Sequence, residues 1–583
     1  MSEYNQTSFT GGMNLLLDDT RLQPNQYRLG INLRNRYDTL DEIPNSILDQ
    51  TLYGGIIQEI LTFGNYVVAF VSGSAYYRLV NDYRWLQIEG FSMNMTAPRY
   101  WTVAVPVATT NYGRIAAQTQ EIPGVGDAQV VANGGVYQLN SAATAAAGNL
   151  PGLIVQDNIN QPMFLFIGAN GIVQARTIQT YEQWTAVYDA YNGNLTLDER
   201  EYVPIGNVMA WVDGVLYIAS QNGNVIYRSV SGRPLDFVLN VGINGAKGGD
   251  ALTTSYSVGV GGISCLRAMP DGSLFVAASN SNFIVQKNMT MNAPTLFGEY
   301  TFIRKFLFEA TCLNDRCIID SLGDTRFIDL TGVRSFNAIL QLQNEGRNSP
   351  FTSIIQAMLK GIVQDVAAAV LYDNYEFYAL NTVIGPVIAV YDTLNTCWSS
   401  FDTTQTGGSK VKAFAKIELA ERALFAITED NKLYQLYAAD TYATATCLTL
   451  SVSANLLNAN QNVKMNNAKS EIKVSDFRCI LNRITQDSTV SLTLLVDNRA
   501  SATGTVLKSI TYVPPVTPYV SDVILLDVNT QLTNLYWMLA NTEQGWKTAF
   551  IIQWTGGGSI TQFSTTLSDL NPMNPLMTQS TTV

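Results

Sequence analysis

Histidine is absent from all 583 residues of this chain. That gap excludes Ser-His-Asp and Cys-His catalysis, histidine-ligated zinc and histidine pH switches. Carboxylate-based glycoside hydrolysis passes the filter, because it needs only Asp and Glu. Charge is scarce as well: charged residues are 14% of the chain, and 47 acids against 35 bases leave a net charge of −12. No long basic run occurs, so a grip on nucleic acid through Lys and Arg clusters is disfavoured. The six cysteines, Cys265, Cys312, Cys317, Cys397, Cys447 and Cys479, contain no CxxC pair. Cys312-Leu-Asn-Asp-Arg-Cys317 is the one close spacing, and with no second cluster it makes a poor metal site. Each cysteine lies in or beside an apolar segment, which predicts buried reduced thiols and fits assembly in a reducing cytoplasm. No run of about 18 apolar residues is present, and Met1-Ser-Glu-Tyr-Asn-Gln lacks the basic-then-apolar pattern of an export signal. The expectation is a soluble chain, not exported by its own sequence.

What the chain does have is a repeated phrase at about fifty-residue spacing. An apolar lead-in meets Gly, Asp or Asn at a tight turn, and an apolar-aromatic strand follows. The copies are Gly64-Asn-Tyr-Val-Val-Ala-Phe, Gly214-Val-Leu-Tyr-Ile-Ala, Gly272-Ser-Leu-Phe-Val-Ala, Asp324-Thr-Arg-Phe-Ile-Asp-Leu, Asn374-Tyr-Glu-Phe-Tyr-Ala-Leu and Arg422-Ala-Leu-Phe-Ala-Ile. Several run on into a second turn and strand, as in Asn431-Lys-Leu-Tyr-Gln-Leu. A fixed period holding hairpin-like strands is the mark of a β-propeller blade, since one small sheet cannot bury both faces alone. The fold class expected is all-β: a propeller of six to eight blades, seven favoured, with a further C-terminal β-sandwich-like region. Strands are predicted at 65–71, 215–220, 273–278, 325–330, 375–380 and 423–428.

Three regions follow. Residues 1–45 precede the repeats and read as an extended N-terminal assembly arm, with Gly11-Gly12 permitting unusual backbone angles and Pro24-Asn25 marking a turn. Residues 46–442 form the propeller, interrupted at about 100–160 by a Gly- and Ala-rich stretch that reads as a degraded blade or an outlooping insertion. Residues 443–583 change pattern to alternating strands between Asn- and Thr-rich turns, such as Val490-Ser-Leu-Thr-Leu-Leu-Val, and read as a separate β-rich domain. The arm's apolar residues Phe9, Met13, Leu15, Leu17 and Tyr27 need a surface to bury against, either the propeller's own outer blade or an adjacent subunit. Removing 1–40 is expected to leave the propeller folded.

No motif carries chemistry. The acid doublets Asp18-Asp19, Asp41-Glu42 and Asp198-Glu199 place neighbours on opposite faces of a strand, whereas glycoside cleavage needs two carboxylates facing each other roughly 5 to 9 Å apart. They read as solvated loops. Asp271-Gly272 and Asn222-Gly223 fit hairpin turns rather than calcium loops, which need oxygen ligands at alternating positions. Gly556-Gly-Gly558 lacks the following Lys-Ser/Thr of a phosphate loop and reads as a flexible turn. Tyr76-Tyr77 and Trp85 could stack on sugars, but aromatics at strand spacing in blades chiefly pack between sheets. No catalytic residue, cofactor or metal is expected, and the chain is not expected to be an enzyme.

Four phrases carry a resemblance. The opening Phe9-x-Gly-Gly-Met-Asn…Tyr27-x-x-x-x-Asn32-x-Arg34, the turn Tyr227-Arg-Ser-Val-Ser-Gly-Arg-Pro-Leu-Asp-Phe237, the segment Cys312 to Phe336 ending Phe327-Ile-Asp-Leu-Thr-Gly-Val-Arg-Ser-Phe, and Ala369 to Phe401 with Val390-Tyr-Asp…Cys397-Trp-Ser-Ser-Phe stand in order along the chain. Together they resemble the tail nozzle (tail tubular, or DNA-stabilisation) proteins of short-tailed bacteriophages. The resemblance implies a homo-oligomeric ring, usually a hexamer, in the virion tail, assembled in the host cytoplasm. It would sit below the adaptor and portal-proximal ring, with tail fibres and the host cell surface as further contacts. Double-stranded DNA would pass through it without sequence-specific binding. The resemblance also implies a partner-binding role for Phe9, Gly11, Gly12, Met13, Asn14, Tyr27, Asn32 and Arg34.

Charge is compatible with such a conduit, because Lys and Arg on a channel wall would hold phosphate and stop the duplex sliding. A loop within 100–160 or in the C-terminal region is expected to line or narrow that channel, unless 100–160 decorates the outside. The competing expectation is a monomeric propeller that binds or cleaves host-surface glycans, recognisable by a substrate-sized acidic cleft at its centre.

Overall fold

A computed structural model describes the chain outside residues 108–149, 178–202, 238–249, 254–261, 288–301, 340–349, 454–471, 511–532 and 570–583, and outside shorter stretches of at most five residues. The described residues are almost entirely strands and turns. Each repeat phrase forms the second strand of a small antiparallel sheet, and before five of the six a Gly or Asn takes the left-handed backbone a tight hairpin demands: Gly64, Gly214, Gly272 and Gly323 have φ of 57°, 78°, 77° and 73°, and Asn374 has 65°. The observed second strands are Tyr66–Val71, Val215–Ser220, Leu274–Ala278, Asp324–Asp329, Tyr375–Thr382 and Arg422–Thr428, as the phrases predict.

Seven sheets follow one another. Blade 1 runs Ile57–Phe63, Tyr66–Val71, Ser74–Leu79, Leu86–Gln87; blade 2 runs Trp101–Val107, Leu150–Gln156, Met163–Ile167, Val173–Thr177. Blade 3 spans 206–253, blade 4 spans 263–308, and blade 5 has three strands, Ile318–Ser321, Asp324–Asp329 and Gly332–Ser335. Blade 6 comprises Ala368–Tyr372, Tyr375–Thr382, Gly385–Asp392 and Cys397–Asp402, and blade 7 Val411–Glu418, Arg422–Thr428 and Leu433–Leu436. The stretch at 100–160 is thus a blade whose first two strands stand far apart in sequence; residues 108–149, and with them most of the proposed channel loop, lie outside the described residues.

Apolar faces of neighbouring blades pack together in pairs all the way round. Phe70 and Tyr100 fill the layer between blades 1 and 2, Phe164 and Leu216 that between 2 and 3, and Tyr217 and Val276 that between 3 and 4. Phe275 meets Phe327 at 6.2 Å between blades 4 and 5, and the same core extends to Tyr378 of blade 6. Phe377 with Leu424, then Val67 with Phe425, close blades 6 to 7 and 7 to 1. A ring with no gap removes the sheet ends that an open stack would expose. The last seam uses a strand from the other end of the propeller: Ile47–Asp49 pairs antiparallel with Leu433–Gln435 as the fourth strand of blade 7.

The second body is a β-sandwich built from both ends of the chain. One sheet carries Thr533–Met538, Ile472–Asn482, Ser559–Asp569, Thr39–Glu42 and Leu33–Arg36, with Ser2–Gln6 alongside Ser559–Asp569. The facing sheet carries Leu29–Ile31, Ala445–Leu448, Lys547–Thr555, Ser488–Val496 and Arg499–Ile510. Alternation in Ser488–Val496 buries Val490, Leu492 and Leu494 on one face, the strand period of two doing its usual sorting. Phe477 stacks between Phe550 at 4.4 Å and Phe563 at 5.9 Å, and Phe9 closes on Phe563 at 5.1 Å. The sequence divides residues 1–45 from 443–583, and the structure joins them: strands of the N-terminal segment complete both sheets. Leu29–Ile31 also bridges Phe401 of blade 6, so the facing sheet continues into the propeller.

Candidate functional site

Of the eight residues picked out near the N-terminus, Gly12, Tyr27, Asn32 and Arg34 converge on one strand, Cys397–Asp402. Gly12 has φ of 65°, and a Cβ there would stand 2.5 Å from Cys397 Sγ and 2.6 Å from the Trp398 carbonyl. Only glycine fits both the angle and the space. Phe9 and Tyr27 are fully buried and Met13 nearly so. Tyr27 donates its hydroxyl to the Ser399 carbonyl at 2.6 Å, and burial holds its pKa well above the ordinary tyrosine range. Asn14 accepts from Leu16 N at 3.1 Å, and Gly11 N donates to the Asn25 carbonyl at 3.1 Å, so these two shape the segment's own turns. Asn32, at φ 53°, accepts from Thr403 N at 2.9 Å and donates to the Thr444 carbonyl at 3.2 Å, tying blade 6 to the sandwich.

Arg34 is the centre of this interlock. Its guanidinium forks onto Asp402 at 3.0 and 2.6 Å, donates to Ser400 Oγ at 3.1 Å, and lies over the rings of Tyr375, Phe377 and Tyr437 at 5.6, 5.5 and 4.8 Å. Tyr437 completes the cluster by donating to Asp402 at 2.7 Å. Burial works against the charge on Arg34, and the Asp402 carboxylate outweighs it, leaving the pKa above its ordinary value. The surface that buries Phe9, Met13, Tyr27 and Arg34 is therefore the chain's own.

Asp41-Glu42 is not a solvated loop: it ends the strand Thr39–Glu42, and Glu42 is buried against the glycine turn. Glu42 Oε2 accepts from Gly557 N at 2.6 Å, inside a turn where Gly556 and Gly557 have φ of 107° and 82°. The expected flexible turn instead cradles the chain's own carboxyl, which burial raises to about 8 while amide bonds from Gly557, Gly556 and Gly558 pull it back. Asp18-Asp19 and Asp198-Glu199 lie outside the described residues. Tyr77 and Trp85 are packed, Tyr77 edge-on to Tyr66 at 5.3 Å and Trp85 beneath Arg78 at 4.6 Å. All six cysteines are buried free thiols, and no group of three potential metal ligands occurs among the described residues.

A second cluster, with no spacing signal in the sequence, lies on the propeller axis. Arg316, at the entry to blade 5, donates from Nη2 to Glu59 Oε2 at 2.6 Å and to the Gln58 carbonyl at 2.8 Å, both in the first strand of blade 1. Blades 5 and 1 are separated by blades 6 and 7, so this bond crosses the hole of the ring. Arg99, just before the first strand of blade 2, reaches the two oxygens of Asp315 at 2.7 and 2.8 Å, a second crossing. Trp101 lies under the Arg99 guanidinium at 4.8 Å. Lys412 approaches from blade 7, where the strand register slips between Val411 and Ala413 and re-aims the residue between them; a matching slip lies between Ile57 and Glu59 in blade 1. Lys412 donates to Asn431 Oδ1 at 2.7 Å, and burial, then the Arg316 charge, lowers its amine to about 8. Glu59 and Lys412 stand inside apolar strands and Arg99, Asp315 and Arg316 in the segments between strands, and nothing in the sequence marks their meeting.

No protein-family model matches the chain, and no curated protein matches it. Among solved structures, selenomethionine-substituted virginiamycin B lyase from Staphylococcus aureus matches at 8% identity over 67% of this chain and 98% of its own, with a TM-score of 0.34. The WD40 domain of Pan2 from Neurospora crassa matches at 10% identity over 69% of this chain and 97% of its own, with a TM-score of 0.32.

Proposed function

We propose that the chain is a structural subunit of a short-tailed phage tail: an oligomeric nozzle that retains the genome and then passes it during ejection. The observation that supports this reading is the convergence of the phrases that carry the resemblance. Phe9, Met13 and Tyr27 of the first, Cys312, Phe327, Val333 and Phe336 of the third, and Tyr378, Trp398 and Phe401 of the fourth belong to one continuous core. Residues spread over nearly 400 positions thus co-operate in a single architecture, as expected when a shared fold, and not chance, sets the phrases. Phe237, ending the second phrase, is buried between blades 2 and 3.

Glycan chemistry is the weaker reading because the propeller axis holds two crossing ion pairs and three cations, where a substrate-sized acidic cleft would be needed. The proposed role has no turnover, and it places the protein in the virion, as a hexameric ring docked to an adaptor ring, with DNA sliding past a weakly charged wall. Negative-stain imaging of the purified chain, alone and with the adjoining tail protein, tests it. Closed rings that stack on the partner are the expected result. A chain that stays monomeric in both conditions and cleaves capsular or cell-wall glycans overturns it.

A further inference from the structure

We propose that the axial cluster is a binding site for a small oxyanion of the phosphate class, seated between Arg99, Arg316 and Lys412. Three cations converge there on two carboxylates, Glu59 and Asp315, so the cluster carries an excess of positive charge among the described residues. The guanidiniums are also incompletely used. Arg99 and Arg316 each engage a carboxylate through Nη2, and the Nε–H of each is buried with no acceptor. A buried donor without a partner is costly, and charged donors most of all, so an acceptor reaching these groups would be stabilised.

Lys412 adds capacity from a third side. Its ammonium has three donors and gives one to Asn431, leaving others for a ligand. Burial first, and then the neighbouring Arg316 charge against a smaller pull from Glu59, push its amine down to about 8, so an anion beside it would favour its charged form. An anion would relieve both strains. The shape of the ligand follows from the ring: the donors come from blades 2, 5 and 7, spread around the axis. A tetrahedral oxyanion presents acceptors in all directions, whereas a carboxylate presents them in one plane. The slipped register that re-aims Lys412 toward the axis is the type of irregularity that strands adopt beside binding sites. The inference stands on this geometry and does not depend on ring assembly.

Inorganic phosphate titrated into the full-length protein at pH 7.5, against chloride at matched ionic strength, tests it. The melting temperature should rise along a saturating curve, because a ligand that binds only the folded state stabilises it. Saturating phosphate should also slow acetylation of Lys412 by acetic anhydride, read by mass spectrometry, at least about tenfold, since it covers the amine and raises its pKa. Lys412→Met should abolish the phosphate-dependent rise while melting normally in chloride. Equal melting and equal Lys412 acetylation in the two salts overturn the site, as does a full phosphate response in Lys412→Met. Should that variant fail to fold, the acetylation ratio of the wild-type protein decides alone.

Discussion

Replacing Arg34 by Met removes the charge at the centre of the interlock while keeping an apolar stem of similar length. The structure sets the size of the effect. Arg34 makes two bonds to Asp402, one to Ser400 and one to the Leu33 carbonyl, and is almost fully buried. Without it, Asp402 keeps only the Ser400 and Tyr437 hydroxyls, at 2.9 and 2.7 Å, as partners for a buried carboxylate. Stranding a buried charge in this way costs about 3–5 kcal/mol. Asp402→Asn strands the guanidinium instead and should cost a similar amount. The double variant strands neither, so its cost should fall short of the sum of the singles by about 2–3 kcal/mol. Two bodies need not unfold together, so the readout should be local: hydrogen exchange at the Asn32 and Thr403 amides, which the interlock protects, alongside the denaturant melt. A single Arg34→Met cost below about 1 kcal/mol, or strictly additive costs, would refute the keystone role and leave the pair a bystander.

Four further outcomes are expected. Gly12→Ala places a Cβ against Cys397 and Trp398 at a left-handed angle, and should destabilise by at least about 2 kcal/mol in a thermal melt. Glu42 should make stability fall with pH: its carboxyl titrates at about 8 folded against 4.5 unfolded, so its contribution is full below about pH 4.5 and is lost as pH rises toward 8. Between pH 4.5 and pH 7 the loss is roughly 3 kcal/mol, and Glu42→Gln should flatten that part of the profile; parallel profiles for the two proteins would contradict it. Removing residues 1–40 deletes strands from both sandwich sheets and uncovers Phe477 and Phe563, so the truncated chain should bind a hydrophobic dye strongly; a truncated chain with no added dye binding would show that the sandwich stands alone. Glu59→Gln leaves Arg316 with a neutral partner across the axis and should lower the melting temperature measurably, whereas an unchanged value would mean that the crossing bond contributes nothing.

The local grammar of this protein was written in its sequence. A Gly or Asn at φ > 0 followed by an alternating apolar strand needs no tertiary partner to be recognised, which is why the second strand of nearly every blade fell where the phrase put it. The absence of histidine was equally plain in the sequence. What the sequence could not disclose is closure. Whether Ile47–Asp49 pairs with Leu433–Leu436, or whether the N-terminal segment is an arm or half a sandwich, depends on contacts between residues hundreds of positions apart, and no pattern within either segment records its partner. Phe9 and Tyr27 announced only a need for burial; Phe563 and Ser399 supplied the surface. The axial cluster is the extreme case. Glu59, Arg99, Asp315, Arg316 and Lys412 are unremarked singly, and only a ring of seven sheets, curving back on itself, brings five sparse charges to one axis.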